Sequence, residues 1–260
     1  MESRAQEVVG LIPAAGYGTR LGRLPCSKEI FPLYAKERSD PTAGAITVML
    51  ESVLLKMRQA GVGKAYIVLR EGKWDIPAFL GDGGMLDMHL AYLMLGVPYG
   101  VPYTLSQAYQ FVREARIALG FGDIHFQADD AYSRILNWQS EKDAAVVLGL
   151  FPTERPDKVD MVELGDGHRV RRVIPKPVKT RLSHTWGIAV WTPLFTEFLH
   201  DYTEAHKTSA ACAPETFVGD VIQEAIDSGL RVEAVHVSAE PYVDIGTPED
   251  LARTLGRPRS

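Results

Sequence analysis

Cysteine is scarce in this chain of 260 residues, and its scarcity excludes two kinds of site. The two cysteines, Cys26 and Cys212, are too few for a disulfide framework or a cysteine-based zinc site. Basic charge is also in deficit, because 28 Lys and Arg residues stand against 33 Asp and Glu residues, for a net charge of −5. This balance argues against nucleic acid as a partner, since sequence-independent binding needs a basic footprint.

Long apolar segments are absent as well. The longest uncharged run, Met88 to Val112, is interrupted by histidine, glycine and proline, so it predicts no membrane span. No apolar signal segment precedes the first motif, and we therefore expect a cytoplasmic protein without a membrane partner. The composition, 46% apolar and 23% charged, is that of a globular protein long enough to bury a full core. We expect a single domain over residues 1–260.

Short apolar runs alternate with longer amphipathic ones in the first half. Strands are predicted at Val8–Ile12, Ala65–Leu69, Ile117–Phe121 and Ala144–Leu150. Helices are predicted at Val48–Ala60, Leu105–Arg116 and Tyr132–Lys142, the second opened by a capping box of Thr104 and Gln107. This alternation predicts an α/β fold with a Rossmann-like open sheet, mixed but mostly parallel, and helices on both faces.

The second half has a different pattern. Val159–Leu164 and Val170–Ile174 flank Gly165-Asp166-Gly167, which predicts a hairpin. The remaining predictions are strands at Gly187–Trp191 and Val232–Val237, helices at Pro193–Ala205, Phe217–Ser228 and Pro248–Leu255, an exposed loop at Lys36–Thr47 and a frayed tail at Gly256–Ser260.

The first predicted strand leads into a segment of small residues, Pro13 to Leu21, which reads PAAGYGTRL. Small residues after a strand let backbone N–H groups approach phosphates closely. A dinucleotide fingerprint needs a third glycine where Leu21 stands, and a P-loop needs G-K-[ST], so neither motif matches. Because Arg20 and Lys28 flank the segment, we interpret it as a phosphate loop of another kind.

Residues 11–21, LIPAAGYGTRL, followed by KEIFPL at 28–33, resemble the signature of the sugar-1-phosphate nucleotidyltransferases, the nucleotide-sugar pyrophosphorylases. Further matches follow in the order of that family over Val8 to Leu255: LSQA at 105–108, GD at 122–123, PKP at 175–177, GI at 187–188 and VDIGTPEDL at 243–251. The resemblance implies a reaction that joins a nucleoside triphosphate to a sugar 1-phosphate and releases pyrophosphate. It also implies a nucleotide-binding half over about 1–145 and an acceptor-binding half over about 146–260.

The resemblance assigns roles residue by residue. Arg20 and Lys28 would bind the triphosphate, Lys176 the acceptor phosphate, and Asp123 and Asp244 one Mg²⁺. Nucleotide contacts are implied for Ala14, Ala15, Gly16, Gly18, Thr19, Thr104 and Gln107. Acceptor contacts are implied for Lys176, Gly187 and Asp220, although Asp220 fits a helix cap equally well. Members of the family are often oligomers, which makes a homo-oligomer one expectation here.

Two departures from the family pattern leave the substrates open. Pro175 stands where the family has a glutamate that contacts the sugar, and Thr104 stands where it has a glycine beside the base. A cytidylyltransferase acting on a non-hexose phosphate or phosphonate is therefore an alternative. Two others are a glycosyltransferase with a metal on Asp129 and Asp130, which otherwise read as helix N-caps, and a non-catalytic nucleotide-binding regulator.

Overall fold

The computed structural model describes residues 6–22, 24–33, 47–97, 99–206 and 216–251. Its helices are α1 Met49–Gln59, α2 Asp75–Leu80, α3 Val101–Ser106, α4 Tyr109–Val112, α5 Ala131–Lys142, α6 Pro193–His206 and α7 Val218–Asp227. Its strands are β1 Val8–Pro13, β2 Pro32–Leu33, β3 Thr47–Val48, β4 Lys64–Arg70, β5 His89–Leu95, β6 Arg116–Leu119, β7 Ile124–His125, β8 Val146–Pro152, β9 Met161–Leu164, β10 Val170–Ile174, β11 His184–Trp191, β12 Val232–His236 and β13 Val243–Asp244.

Nine strands of the described residues form one open sheet. Strands β5, β4, β1 and β6 run parallel to one another, and β12 runs parallel to β8. Strand β11 is antiparallel to β6 and β8, and the predicted β9–β10 hairpin is also antiparallel. The predicted α/β fold with a mixed open sheet is therefore confirmed. The sheet was expected to be mostly parallel and is partly parallel, with its parallel pairs mainly in the first half.

Helices cover both faces of the sheet, as predicted. Along β1, Val9 and Leu11 point into a core shared with α3, α6 and α7. Ile12 points into the opposite core, shared with α1, α2 and α5. Gly10 lies on that second face, where an added Cβ would be 2.8 Å from the Cβ of Ala65. Its glycine lets β1 and β4 pack closely beneath α1.

The bounds of the predicted helix over Leu105–Arg116 and its capping box are wrong, because two short helices, α3 and α4, lie there instead. Helix α3 begins at Val101, after Gly100, and has Pro102 in its first turn, where the missing N–H costs no hydrogen bond. Thr104 therefore lies inside the helix, and its hydroxyl donates to the carbonyl oxygen of Gly100 at 3.0 Å. Helical structure ends before Arg116, which is the first residue of β6. The N–H of Arg116 donates to the carbonyl oxygen of Glu7.

The uncharged run Met88 to Val112 also contains strand β5, which the sequence analysis did not predict. No helix in the described ranges is both long enough and apolar enough to cross a membrane. The predicted last helix is described only over residues 248–251, and the predicted tail and most of the Lys36–Thr47 loop lie outside the described residues, as does Cys212.

The parallel strands position the candidate site. Because β1, β4 and β6 are parallel neighbours, their carboxyl ends lie at one edge of the sheet, where ligands bind in open α/β folds. Three loops leave that edge, at residues 14–18, 71–74 and 120–123. The residues of the candidate site lie on or next to these loops and on segments of the second half of the chain.

Candidate active site

The glycine loop after β1 presents open backbone at this edge. Gly16 is exposed, and an added Cβ at Gly16 or Gly18 would meet nothing within 4 Å. Gly18 has a φ of +65°, a left-handed conformation that favours glycine. Thr19 and Arg20 follow in an exposed 3₁₀ turn. The loop therefore has the open surface that close approach of an anionic ligand requires.

The two alanines at the start of this loop are buried, unlike Gly16. The side chains of Ala14 and Ala15 are buried in the core on opposite faces of the sheet. The N–H of Ala14 already donates to the carbonyl oxygen of Val68 at 2.8 Å. Ala14 thus anchors the loop to β4 through its backbone.

Lys28 and Asp123 form an ion pair at the same edge. Asp123 lies at the end of the loop that follows β6, directly before β7. Strand β7 pairs antiparallel with β13. The N–H of Ile245 donates to the carbonyl oxygen of Asp123 at 3.1 Å. This two-residue pairing brings Asp244 beside Asp123, although the two are far apart in sequence.

The carboxyl of Asp244 and the ammonium of Lys28 both have shifted pKa values. Burial, reinforced by the neighbouring Asp123 and opposed by Lys28, raises the pKa of Asp244 to about 7. Burial by itself would lower the pKa of Lys28, but the carboxylates of Asp123, Glu29 and Asp244 together outweigh burial and raise it. One carboxylate oxygen of Asp244, Oδ1, is buried without a hydrogen-bond partner.

An unpartnered buried carboxylate oxygen beside a second carboxylate fits a divalent cation. The described residues hold no cluster of three or more His, Cys, Asp or Glu side chains that would bind a metal by themselves. Mg²⁺ typically takes one or two carboxylates and completes its shell with phosphate oxygens and water. The donor set of Asp123 and Asp244 is therefore suited to Mg²⁺ that arrives with a phosphorylated substrate.

A cleft of about 370 Å³ opens beside these residues. It is lined by Arg20 from the first half and by Lys176 and Asp244 from the second. Other residues on its wall are Arg155, Lys158, Thr185, Tyr242, Thr247 and Asp250. Three of the charged residues singled out in the sequence thus share one cleft, and Lys28 and Asp123 adjoin it through Asp244.

The wall below Asp244 is fixed by polar contacts. Thr247 precedes the helical turn 248–251, and its hydroxyl donates to Asp250 Oδ2 at 2.7 Å. The same hydroxyl accepts the N–H of Asp250 at 3.3 Å, as a helix N-cap does. Arg155 forms an ion pair with the other carboxylate oxygen of Asp250. These contacts join the end of β8 to the segment that carries Asp244.

Lys176 is held in an unusual conformation. It has a φ of +40° between Pro175 and Pro177, and its N–H donates to the carbonyl oxygen of Val159 at 3.2 Å. Its ammonium lies over the ring of Phe217, 3.7 Å from the ring centre. A lysine in left-handed backbone conformation is strained, and such strain is typical of functional positions.

Asp160 is a charged residue near Lys176 that the sequence analysis missed. Burial, opposed by Lys176 and reinforced by Asp220, raises the pKa of this carboxyl to about 6. An added Cβ on Gly219 would lie 2.4 Å from Asp160 Oδ2, so the carboxyl packs directly against the start of α7. An aspartate at the edge of a predicted strand carries no sequence signal of such burial.

Among the residues predicted to contact the nucleotide or the acceptor, Lys176 lines this cleft. The predicted loop contacts Ala14, Ala15, Gly16, Gly18 and Thr19 do not line it, and neither do four residues elsewhere in the chain. Thr104 is buried in α3, and the amide of Gln107 donates to Tyr103 at 3.4 Å. Gly187 lies at a register shift in β11, where an added Cβ would be 2.9 Å from the ring of Tyr242. Asp220 accepts the N–H of Phe217 at 2.8 Å, which is the helix-capping arrangement considered as its alternative.

The two adjacent aspartates, Asp129 and Asp130, have different surroundings in the structure. Asp129 is exposed and forms an ion pair with Lys56, whose side chain is mostly buried. Asp130 occupies the N-cap position of α5 but makes no capping hydrogen bond through its side chain. The predicted N-cap position is therefore right for Asp130 and wrong for Asp129.

Comparison with known proteins places the chain in a family. A sequence profile described as nucleotidyl transferase matches residues 9–255. The chain is 22% identical over 247 residues to the low-salt glycan biosynthesis nucleotidyltransferase Agl11 of Haloferax volcanii, and 24% identical over 250 residues to a glucose-1-phosphate thymidylyltransferase of Streptomyces griseus. Each alignment covers 93% of this chain, which spans 63% of the length of either relative.

The fold is shared with a solved structure. A protein from Bacillus anthracis, assigned as a glucose-1-phosphate thymidylyltransferase and solved with sucrose, superimposes with a TM-score of 0.80. The superposition covers 97% of this chain and 96% of the other at 18% sequence identity, which establishes a common fold. With a family profile that matches nearly the whole sequence, the chain belongs to the nucleotidyl transferase family.

Proposed function

We propose that this protein transfers a nucleotidyl group from a nucleoside triphosphate to a sugar 1-phosphate, with release of pyrophosphate and formation of a nucleotide sugar. The observation that carries the proposal is the shared cleft of Arg20, Lys176 and Asp244 at the carboxyl edge of the parallel strands. The nature of the two curated relatives, a glycan-biosynthesis nucleotidyltransferase and a glucose-1-phosphate thymidylyltransferase, supports the same reaction class.

In the proposed reaction a phosphate oxygen of the acceptor attacks the α-phosphorus of the triphosphate in line. The bond from the α-phosphorus to the bridging oxygen breaks, and the electron pair leaves with pyrophosphate. Both reactants are anionic, so catalysis consists mainly of positioning and charge neutralisation. Arg20 and Lys28 neutralise the triphosphate, and Lys176, on the wall of the same cleft as Arg20, holds the acceptor phosphate.

The guanidinium of Arg20 can hold two phosphate oxygens at once, whereas Lys28 acts as a point charge. Asp123 and Asp244 would hold Mg²⁺, which supplies positive charge to the phosphate oxygens when it is bound. Asp123 also holds the ammonium of Lys28 close to that position through their ion pair. The glycine loop at Gly16, Gly18 and Thr19 offers backbone for close contact with the triphosphate.

The acceptor class has one rival. Pro175 offers no polar side chain next to Lys176, so nothing at this position selects for a sugar hydroxyl. Lys176 itself requires only a phosphate or a phosphonate. A cytidylyltransferase acting on a non-hexose phosphate or phosphonate is therefore the second candidate function.

Pyrophosphate release is the deciding experiment. UTP, dTTP, CTP, ATP and GTP are each incubated with Mg²⁺ and with glucose 1-phosphate, other hexose 1-phosphates, phosphocholine or a small phosphonate. We expect release with one base and a sugar 1-phosphate. Release with CTP and a non-sugar acceptor favours the second candidate, and triphosphate binding without any release refutes both in favour of a non-catalytic regulator.

A further inference from the structure

We infer that Lys73 and Asp75, which follow β4 and are here named the 73–75 segment, are positioning residues for Lys28. This inference rests on the proposed function, in which Lys28 binds the triphosphate. Neither residue belongs to the phosphate loop or to its flanking motif, and neither lines the cleft. The role is to hold the backbone on both sides of Lys28, so that its ammonium stays beside Asp123.

The contact on the amino-terminal side of Lys28 is made by Ser27. The N–H of Ser27 donates to Asp75 Oδ2 at 2.6 Å, and its hydroxyl donates to Asp75 Oδ1 at 2.7 Å. Both carboxylate oxygens of Asp75 thus accept hydrogen bonds from Ser27, the residue before Lys28. Hydrogen bonds to a charged acceptor are stronger and more directional than neutral ones, so this contact fixes the position of Ser27.

The contact on the carboxyl-terminal side is made by Glu29. Its carboxylate forms a 2.5 Å ion pair with the ammonium of Lys73. Glu29 is 2% exposed and Lys73 is 5% exposed, so the pair is buried. Burial raises the pKa of Glu29, and Lys73 opposes that effect. Lys28, between two residues that the same short segment holds, has little freedom to move along the sheet edge.

Stability alone gives a poor account of this buried ion pair. Removing two charges from water costs about as much as their attraction returns, and apolar replacements are often equally stable. What an ion pair provides, and an apolar pair does not, is a fixed direction between two groups. Glu29, one member of the pair, directly follows Lys28, the residue that the proposed reaction requires to be fixed.

Glu29 also reaches the partner of Lys28. Its Cγ lies 3.1 Å from the position that a Cβ on Gly122 would occupy, so it packs against the backbone just before Asp123. A single side chain thus touches the segments that carry both members of the Lys28–Asp123 ion pair. Displacement of Glu29 is therefore expected to move the ammonium and its carboxylate partner together.

The test separates positioning from stability with a paired substitution. Lys73→Met alone leaves the buried Glu29 unpaired and is expected to lower the melting temperature. The double variant Glu29→Met/Lys73→Met removes both charges and is expected to recover most of that loss. Affinity for the α,β-methylene analogues of UTP, dTTP, CTP, ATP and GTP is measured by calorimetry with Mg²⁺ and without acceptor. Pyrophosphate release is measured separately.

We expect the double variant to bind the preferred analogue roughly tenfold more weakly than the wild type, because displaced binding groups lose rate and affinity steeply. The same pair of substitutions in a Lys28→Ala background should then cause no further loss, since the group being positioned is gone. Asp75→Asn, which weakens the contact with Ser27, should also lower the affinity in the wild-type background and cause no further loss in the Lys28→Ala background. Arg116→Met, a half-buried cation at the other end of β6, is the matched control and should leave the affinity unchanged.

Two outcomes overturn the inference while the proposed function stands. One is a double variant that recovers affinity along with its melting temperature, and the other is an equal loss of affinity with and without Lys28. A wild-type protein that binds an analogue and shows the coupling, but releases no pyrophosphate with any acceptor, supports the inference and refutes the proposed function. A wild-type protein that binds none of the analogues refutes both.

Discussion

Asp160→Asn is expected to change how the stability of the protein depends on pH. The carboxyl of Asp160 lies against Gly219 at the start of α7, and burial is the largest cause of its raised pKa. Lys176 favours the ionised form of Asp160, but Lys176 is exposed to water and its ammonium lies over the ring of Phe217. Asparagine keeps the shape of the side chain and removes only its ionisation, so the substitution isolates the cost of that charge.

The sign follows from the direction of the shift. The pKa in the folded protein, about 6, is higher than the ordinary value of 3.8, so the folded state binds this proton more tightly than the unfolded state. The resulting stability is fully present below pH 3.8 and is lost as the pH rises through 6. The difference between 3.8 and about 6 corresponds to about 3 kcal/mol of unfolding free energy.

The assay is urea unfolding of the wild type and of Asp160→Asn at pH values between 4 and 8. The free energy of unfolding of the variant minus that of the wild type should rise with pH by up to about 3 kcal/mol and level off above pH 7. Asp166→Asn, at the exposed turn of the β9–β10 hairpin, is the control for the substitution itself. A flat difference between pH 4 and 7 would show that Asp160 is not forced to ionise in a buried position, and this reasoning would be refuted.

Three further predictions concern the cleft and its support. Arg20→Ala should lower kcat/KM for pyrophosphate release by about 10²-fold or more while leaving the melting temperature unchanged, because Arg20 is exposed; near-normal turnover would contradict its assigned role. Gly120→Ala should lower the free energy of unfolding by about 1–3 kcal/mol in a urea titration, since the new Cβ would lie 2.6 Å from the hydroxyl of Tyr132 and 2.6 Å from a methyl of Val53. Asp244→Asn, tested at pH 8, should bind a triphosphate analogue more tightly than the wild type without Mg²⁺ and more weakly with it. Calorimetry in both conditions checks this reversal, and a change in the same direction in both would count against a metal at Asp244.

The sequence predicted the elements whose signal is local. Strand β1, helix α1 and the β9–β10 hairpin follow from apolar runs and turn residues close to one another in the chain. Strand β5 was missed because His89–Leu95 lies at the edge of the sheet and lacks a regular alternation of apolar and polar residues. The start of α3 was misplaced because Gly100 and Pro102 determine it, and they precede the apparent capping box.

The site shows the same division between local and distant signals. The glycine loop and the two basic residues beside it are a short continuous pattern, and the sequence predicted them together. The meeting of Asp123 and Asp244 depends on β7 and β13, which pair over two residues each and are too short to leave a pattern. The buried charges of Glu29 and Lys73 could not be predicted, since most charged side chains are exposed.

The charges around Asp244 give a physical reason for a cation in the cleft. Lys28 is already paired with Asp123, and Lys73 with Glu29, so these two lysines are largely balanced before any substrate enters. Asp244 is left with a buried, unpartnered oxygen, and its raised pKa shows that the fold opposes its charge. A triphosphate entering beside an ionised Asp244 would meet repulsion that Arg20, exposed to water and its screening, offsets only in part. A divalent ion between the carboxylate and the phosphate would convert that repulsion into two attractions, and for this reason the effect of Asp244→Asn on triphosphate affinity should change sign with Mg²⁺.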